Sequence, residues 1–224
     1  MESKEKVYVE EIHRRLVDGC EYVFNRGWQC DPPSFKSVKM ACERLLELFP
    51  SARAILTMRH ANLRILREMC LERGLDLLVP AKASHDVFRI PRSALLNTDG
   101  TRNHKSLSIT EAMRYAQPYS GPVDLIVTGC IGFNPAERNL YLLGDDGIAG
   151  LIEEWRTRWL ERSEDGQSHG FDLSPDVSVV ALASDLQEVS GWPPIMRSFL
   201  EADLVITPTR TIKLGVPQDS TFNE

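Results

Sequence analysis

Apolar residues recur along the chain with two different periods, and the exchange between them lays out a fold. Across residues 10–24 they stand at Ile12, Leu16, Cys20 and Val23, a helical repeat that predicts a helix ending near Gly27. Asp31-Pro32-Pro33 breaks the chain, because proline removes a backbone donor and pushes the residue before it out of helical space. Ser34 is placed to cap a second helix that turns Val38, Ala41, Leu45 and Leu48 inward. Residues 52–58 read as a short buried strand. Helical spacing returns over residues 62–73, with Leu63, Leu66, Cys70 and Leu71 on one face and Gly74 as the stop. A second buried strand, 75–79, closes at Pro80. Residues 97–106 are polar and aperiodic, which predicts a mobile surface loop. Beyond them the pattern predicts a short helix at 109–116, the clearest core strand at 124–128 and a helix at 147–160. A flexible connection at 163–169 and late strands at 177–183 and 203–206 complete the order.

Strand, helix and strand in succession predict a mainly parallel sheet with helices on its faces. No internal repeat or low-complexity tract divides the chain, so residues 1–224 read as a single three-layer α/β/α domain. Composition adds little that changes this: 42% hydrophobic and 26% charged residues are ordinary for a soluble globular protein. Charge narrows the partners. The net charge is −6 and the 26 lysines and arginines are scattered, which argues against nucleic acid and anionic lipid. The charged start, Met1-Glu2-Ser3-Lys4-Glu5-Lys6, lacks the apolar core of a signal peptide, and the longest apolar runs fall far short of a membrane span. The five cysteines, Cys20, Cys30, Cys42, Cys70 and Cys130, are irregularly spaced, so neither a disulfide framework nor a structural zinc site is expected. A cytoplasmic protein with a small-molecule substrate is the expectation.

Candidate chemistry gathers where strands end, because ligands of α/β proteins bind outside the carboxyl ends of the sheet. On that ground Gly129 and Asn134, after the central strand, and Thr207, Thr209 and Arg210, after the last one, are candidates for one substrate crevice. Gly144 and Gly147 flank a helix start and are candidates for lining the same crevice. Between them Asp145 and Asp146 fit caps of that helix, metal ligands or contacts to a substrate amine. Arg14 and Lys36 are candidate anion contacts, or members of a solvated surface.

The segment 122–134, Pro-Val-Asp-Leu-Ile-Val-Thr-Gly-Cys-Ile-Gly-Phe-Asn, resembles the central strand and turn of the 5-formyltetrahydrofolate cyclo-ligase (methenyltetrahydrofolate synthetase) family. The segment 203–212, Asp-Leu-Val-Ile-Thr-Pro-Thr-Arg-Thr-Ile, is similar to that family's closing strand, especially in the methenyltetrahydrofolate synthetase-domain branch. Phe35-Lys36 with Ala41-Cys42-Glu43-Arg44-Leu45, and Arg67, Leu71, Gly74 and Val79-Pro80, agree in order. Gln187 matches a family glutamine. The resemblance implies a fold of the sugar-phosphate isomerase and CoA-transferase type. It also implies ATP- and Mg²⁺-dependent closure of 5-formyltetrahydrofolate to 5,10-methenyltetrahydrofolate. In that reaction ATP phosphorylates the formamide oxygen, a neighbouring amine attacks the activated carbon, and phosphate leaves.

The chain departs from the family where nucleotide would bind. Two carboxylates occupy the glycine-rich turn, the aromatic pair and Asp that follow it in the family are missing, and Ser198-Phe199 stands where many members carry His-Asp. Like charges beside a triphosphate are unfavourable unless Mg²⁺ bridges them. Two functions follow: a cyclo-ligase-like enzyme acting on a reduced folate or another small molecule, or a diverged relative that binds a ligand or partner without ATP-dependent catalysis.

Overall fold

The computed structural model describes residues 3–23, 32–81, 85–95, 109–142, 148–165, 171, 173–190 and 199–215. The expected surface loop at 97–106 lies outside them, as do 144–147 and most of the expected connection at 163–169.

The core is a sheet built on five parallel strands: β3 (Ala54–Thr57), β4 (Asp76–Pro80), β7 (Leu125–Gly129), β10 (Ser178–Leu182) and β12 (Leu204–Ile206). Their apolar runs suit strands covered on both faces, and all five residues of β7 are buried. Three antiparallel strands finish the edges: β5 (Val87–Ile90) and β6 (Gln117–Tyr119) beyond β4, and β13 (Thr211–Lys213) beyond β12. The spatial order is therefore β13-β12-β10-β7-β3-β4-β5-β6. Two aspartates pin the amino ends. Asp124 Oδ2 accepts from the N–H groups of Arg53 and Ala54 at 2.6 and 2.8 Å, and Asp203 Oδ2 accepts from Val179 N–H at 2.9 Å.

The helices are α1 (Ser3–Asp18), α2 (Val38–Leu48), α3 (Arg64–Glu72), α4 (Ile109–Ala112) and α5 (Ile148–Asp165). The architecture is thus mixed α/β, a large and mostly parallel sheet flanked by helices. Leu66, Cys70 and Leu71 are buried on α3, and Gly74 ends the helix at φ +73°, a left-handed stop that glycine adopts without strain. Among the described residues, no helix is long and apolar enough to cross a membrane.

Three local expectations need correction. Helix α1 stops at Asp18 rather than near Gly27: Cys20 is exposed and takes φ +57°, and Val23 falls in the short strand β1 (Tyr22–Val23). The buried stripe is Val9, Ile12 and Leu16, one turn earlier than the sequence suggests. Ser34 belongs to β2 (Ser34–Phe35), which pairs with β1, and the cap residue of α2 is Ser37. Glu21 fixes that cap, accepting from the Ser37 hydroxyl at 2.6 Å and its N–H at 3.1 Å. Leu48 is exposed at the end of α2. A small second sheet of β8 (Gly132–Phe133), β9 (Asn139–Tyr141) and β11 (Phe199–Glu201) was not legible as strands.

Candidate functional site

Sheet order locates the site. From β3 the chain passes through α3 to β4 on one side, while β7 joins β3 on the other. The carboxyl ends of β3 and β7 therefore flank a topological switch point, where neighbouring connections diverge and leave a crevice. The β3–β7 ladder continues one residue past β3, with Met58 N–H donating to Val127 C=O at 2.9 Å. Arg59, His60, Ala61 and Asn62 then cross the gap.

His60 and Asn62 are both buried there. Gly129 N–H donates to His60 Nδ1 at 3.2 Å, so Nδ1 is an acceptor and the ring proton sits on Nε2. Asn62 lies directly over Gly129. A Cβ built on Gly129 would stand 2.5 Å from Asn62 Nδ2 and 2.7 Å from Oδ1. Glycine is required at 129 by this close approach rather than by a special backbone angle. Asn62 is 3% exposed, yet neither its Nδ2 nor its Oδ1 has a hydrogen-bond partner among the described residues. Buried polar atoms are nearly always bonded, and one left unpartnered costs about 1–3 kcal/mol.

Beside this crevice, the carboxyl ends of β10 and β12 are tied together around Asp185. Its Oδ1 accepts from Thr207 Oγ1 at 2.7 Å, Thr209 Oγ1 at 2.8 Å and Arg210 Nε at 3.0 Å. Arg210 Nη2 also reaches Glu188 Oε2 at 2.7 Å. Burial pushes the Asp185 carboxyl upward, but the two hydroxyls and the guanidinium outweigh it and hold the group below its ordinary value. Gln187 joins two loops. Its Nε2 donates to the carbonyls of Cys130 and Ile131 at 2.6 and 3.1 Å, and its Oε1 accepts from Ser184 N–H at 2.7 Å. Cys130 itself is fully buried, and burial pushes its thiol up to about 12; at neutral pH it is not a thiolate and not a nucleophile.

The structure thus brings Gly129, Gln187, Thr207, Thr209 and Arg210 to one end of the sheet. Lys36 comes to the same end, because β2 packs against the turn at Ala61–Leu63; its side chain is exposed. Asn134 is not brought to Thr207. Its Oδ1 accepts from Ala136 N–H and its Nδ2 donates to Glu137, and the turn that follows is tied to Ala202, Asp203 and Gly215, flanking the amino end of β12. Arg14 lies on the solvent face of α1, paired with Glu11 at 2.8 Å and Asp18 at 2.7 Å. Gly144, Asp145, Asp146 and Gly147 lie outside the described residues. Among the described residues, no group of three or more histidine, cysteine or acidic side chains is placed to hold a metal ion.

Sequence reasoning missed His60 and Asn62. The available signal was a polar tetrapeptide immediately after an apolar strand; what made it a site is the neighbouring strand, which only the topology supplies. No protein-family model matches the chain, and no curated protein matches it.

Proposed function

We propose that the chain is a cyclo-ligase-like enzyme that holds a small polar molecule across the carboxyl ends of β3 and β7 and activates an amide or formamide for ring closure. Asn62 carries the reading: a buried carboxamide, unpartnered at both polar atoms among the described residues, at a switch point between parallel strands. A ligand group that offers one donor and one acceptor, as an amide or lactam edge does, satisfies both atoms at once. A three-layer arrangement of the sugar-phosphate isomerase and CoA-transferase type belongs to the same proposal, and the sheet order supports it. 5-Formyltetrahydrofolate, which carries both a formamide and a lactam, is the first substrate to test.

In this reading Asn62 orients the amide, Gly129 leaves room for the Asn62 carboxamide, and Gln187 holds the loop after β7 against the turn after β10. ATP and Mg²⁺, which would make the formyl oxygen a leaving group, enter only through the family resemblance. Of the residues expected to hold them, Arg14 is engaged by two carboxylates and 144–147 lie outside the described residues, so no step is assigned to either.

A second reading, a diverged relative that binds a ligand without catalysis, is favoured by the internal bonding of Thr207, Thr209, Arg210 and Gln187. One experiment separates the two. The protein is mixed with 5-formyltetrahydrofolate and MgATP, and the methenyl chromophore is followed for the native chain and for Asn62→Leu, with calorimetry of the folate alone in parallel. Turnover that falls at least about tenfold in the variant, a loss of 1.4 kcal/mol, supports the enzyme. Asn62-dependent binding without turnover supports the second reading. Neither binding nor turnover removes both for this substrate.

A further inference from the structure

Two guanidinium groups stand at the carboxyl end of β3, and neither is paired with a carboxylate among the described residues. Arg67 is 4% exposed on α3. Its Nη1 donates to the carbonyls of Met58 and His60, each at 3.1 Å. Those carbonyls flank Arg59, so the two arginines are drawn to one place. Arg67 Nε and Nη2 have no bond among the described residues. Arg59, half-buried, makes a single long bond among the described residues, from Nη1 to the Pro80 carbonyl at the end of β4, at 3.4 Å. Glu68, the next residue on α3, acts on the Arg67 charge without pairing with it, and its Oε1 faces Arg64 Nε at 3.8 Å. Elsewhere on the chain Arg89, Arg138, Arg158 and Arg210 each hold a carboxylate.

A desolvated cation with no counter-charge is costly, and a second cation beside it adds repulsion. Burial, then the charge of Arg59, lowers the Arg67 guanidinium to about 10, which leaves it charged at neutral pH. Carbonyl bonds neutralise neither cation. Guanidinium groups with free N–H edges match the planar or tetrahedral oxygens of an oxyanion in bidentate fashion.

We infer that Arg59 and Arg67 form an oxyanion subsite at the carboxyl ends of β3 and β4, taking a carboxylate or phosphate of the molecule whose amide edge meets Asn62. The inference rests on the small-molecule reading of the crevice and adds a chemical class: the ligand is an acid. Asn62 turns toward β7 while Arg59 turns toward β4, so the two halves of the ligand lie on opposite sides of the β3 terminus.

The test uses the full chain, with inorganic phosphate and glutarate as probes, against chloride at matched ionic strength. Thermal unfolding and calorimetry are read for the native protein, Arg59→Gln and Asn62→Leu. Arg67→Lys, which retains the charge but not the fork, is added if circular dichroism shows it folded. Expected is stabilisation by phosphate or by glutarate beyond chloride, which identifies the oxyanion. Affinity falls at least about tenfold in Arg59→Gln, a loss of 1.4 kcal/mol, and is unchanged in Asn62→Leu. No anion effect beyond chloride, or an effect equal in Arg59→Gln, overturns the subsite while leaving folate binding through Asn62 standing. An anion effect that persists while Asn62→Leu changes no folate binding overturns the amide reading instead.

Discussion

At the scale of single residues, the packing of Gly129 against Asn62 sets the terms. Two strands part here, and the space a side chain at 129 would fill is taken by a carboxamide at 2.5–2.9 Å. Real Cβ contacts do not reach that distance, so Gly129→Ala forces Asn62 or the turn at 61–63 to move. Strain of this kind in a packed core costs about 1–3 kcal/mol. The expected outcome in urea unfolding is a loss of that size for Gly129→Ala and a smaller loss for the double variant Gly129→Ala/Asn62→Ala, in which the colliding group is gone. Additive losses would show that Asn62 is not what excludes the Cβ. The same pair of residues explains why position 129 reads in the sequence as an ordinary turn glycine: its constraint comes from a residue 67 positions earlier, and nothing local encodes it.

At the scale of elements, the turns after β10 and β12 are joined through one carboxylate oxygen, and that makes the joint sensitive to acid. The Asp185 carboxyl is held below its ordinary value by Thr207, Thr209 and Arg210 against an upward push from burial. A depressed carboxylate contributes stability that is present above its unfolded-state value and is lost as pH falls through the folded one. Asp185→Asn should therefore be less stable than the native chain at neutral pH and should lose less on acidification through the carboxylate range. Urea midpoints across that range check it; parallel curves would show that Asp185 does not carry the dependence. Helices with a sustained apolar stripe, such as α3, and strands buried on both faces, such as β7, were legible because their burial is periodic or continuous. The end of α1 was not, because Cys20 and Val23 continue the helical spacing past the point where Cys20 turns left-handed. Strands β8, β9 and β11 were not legible either; two or three residues hold too short a pattern to declare a period. In the candidate site, Thr207, Thr209 and Arg210 were placed at the carboxyl end of the sheet from their positions after the last strand, while Gln187 entered only through the family resemblance. Their bonding to Asp185 and to the 130–131 carbonyls depends on strand neighbours that the sequence does not rank. Asn134 followed the same rule of position but sits after an additional short strand, which carries it away from Thr207.

At the scale of the whole molecule, five parallel strands direct their carboxyl ends the same way, and the cationic groups Lys36, Arg59 and Arg67 sit at that end of a chain whose net charge is −6. An anionic ligand is therefore repelled by the protein at large and held only by local charge, which salt screens least where the groups are buried. Asp145 and Asp146, outside the described residues, enter through charge alone. In the glycine-rich segment 144–147 they put two negative charges where the resemblance to the cyclo-ligase family would lead one to expect a triphosphate. A like-charge contact at ~4 Å costs on the order of 4 kcal/mol when moderately screened. The native chain should accordingly bind ATP weakly at this segment, and Asp145→Gly/Asp146→Gly should bind it more tightly. The arginine pair is common to both proteins and cancels in the comparison. Mg²⁺ bridging the carboxylates to phosphate would reverse the sign, so calorimetry is run with the metal and with a chelator. Tighter binding by the double variant under both conditions marks the segment as a phosphate site closed by its own charges. Tight MgATP binding by the native chain, abolished in the variant and by the chelator, would overturn this and make Asp145 and Asp146 metal ligands of an ATP-dependent enzyme.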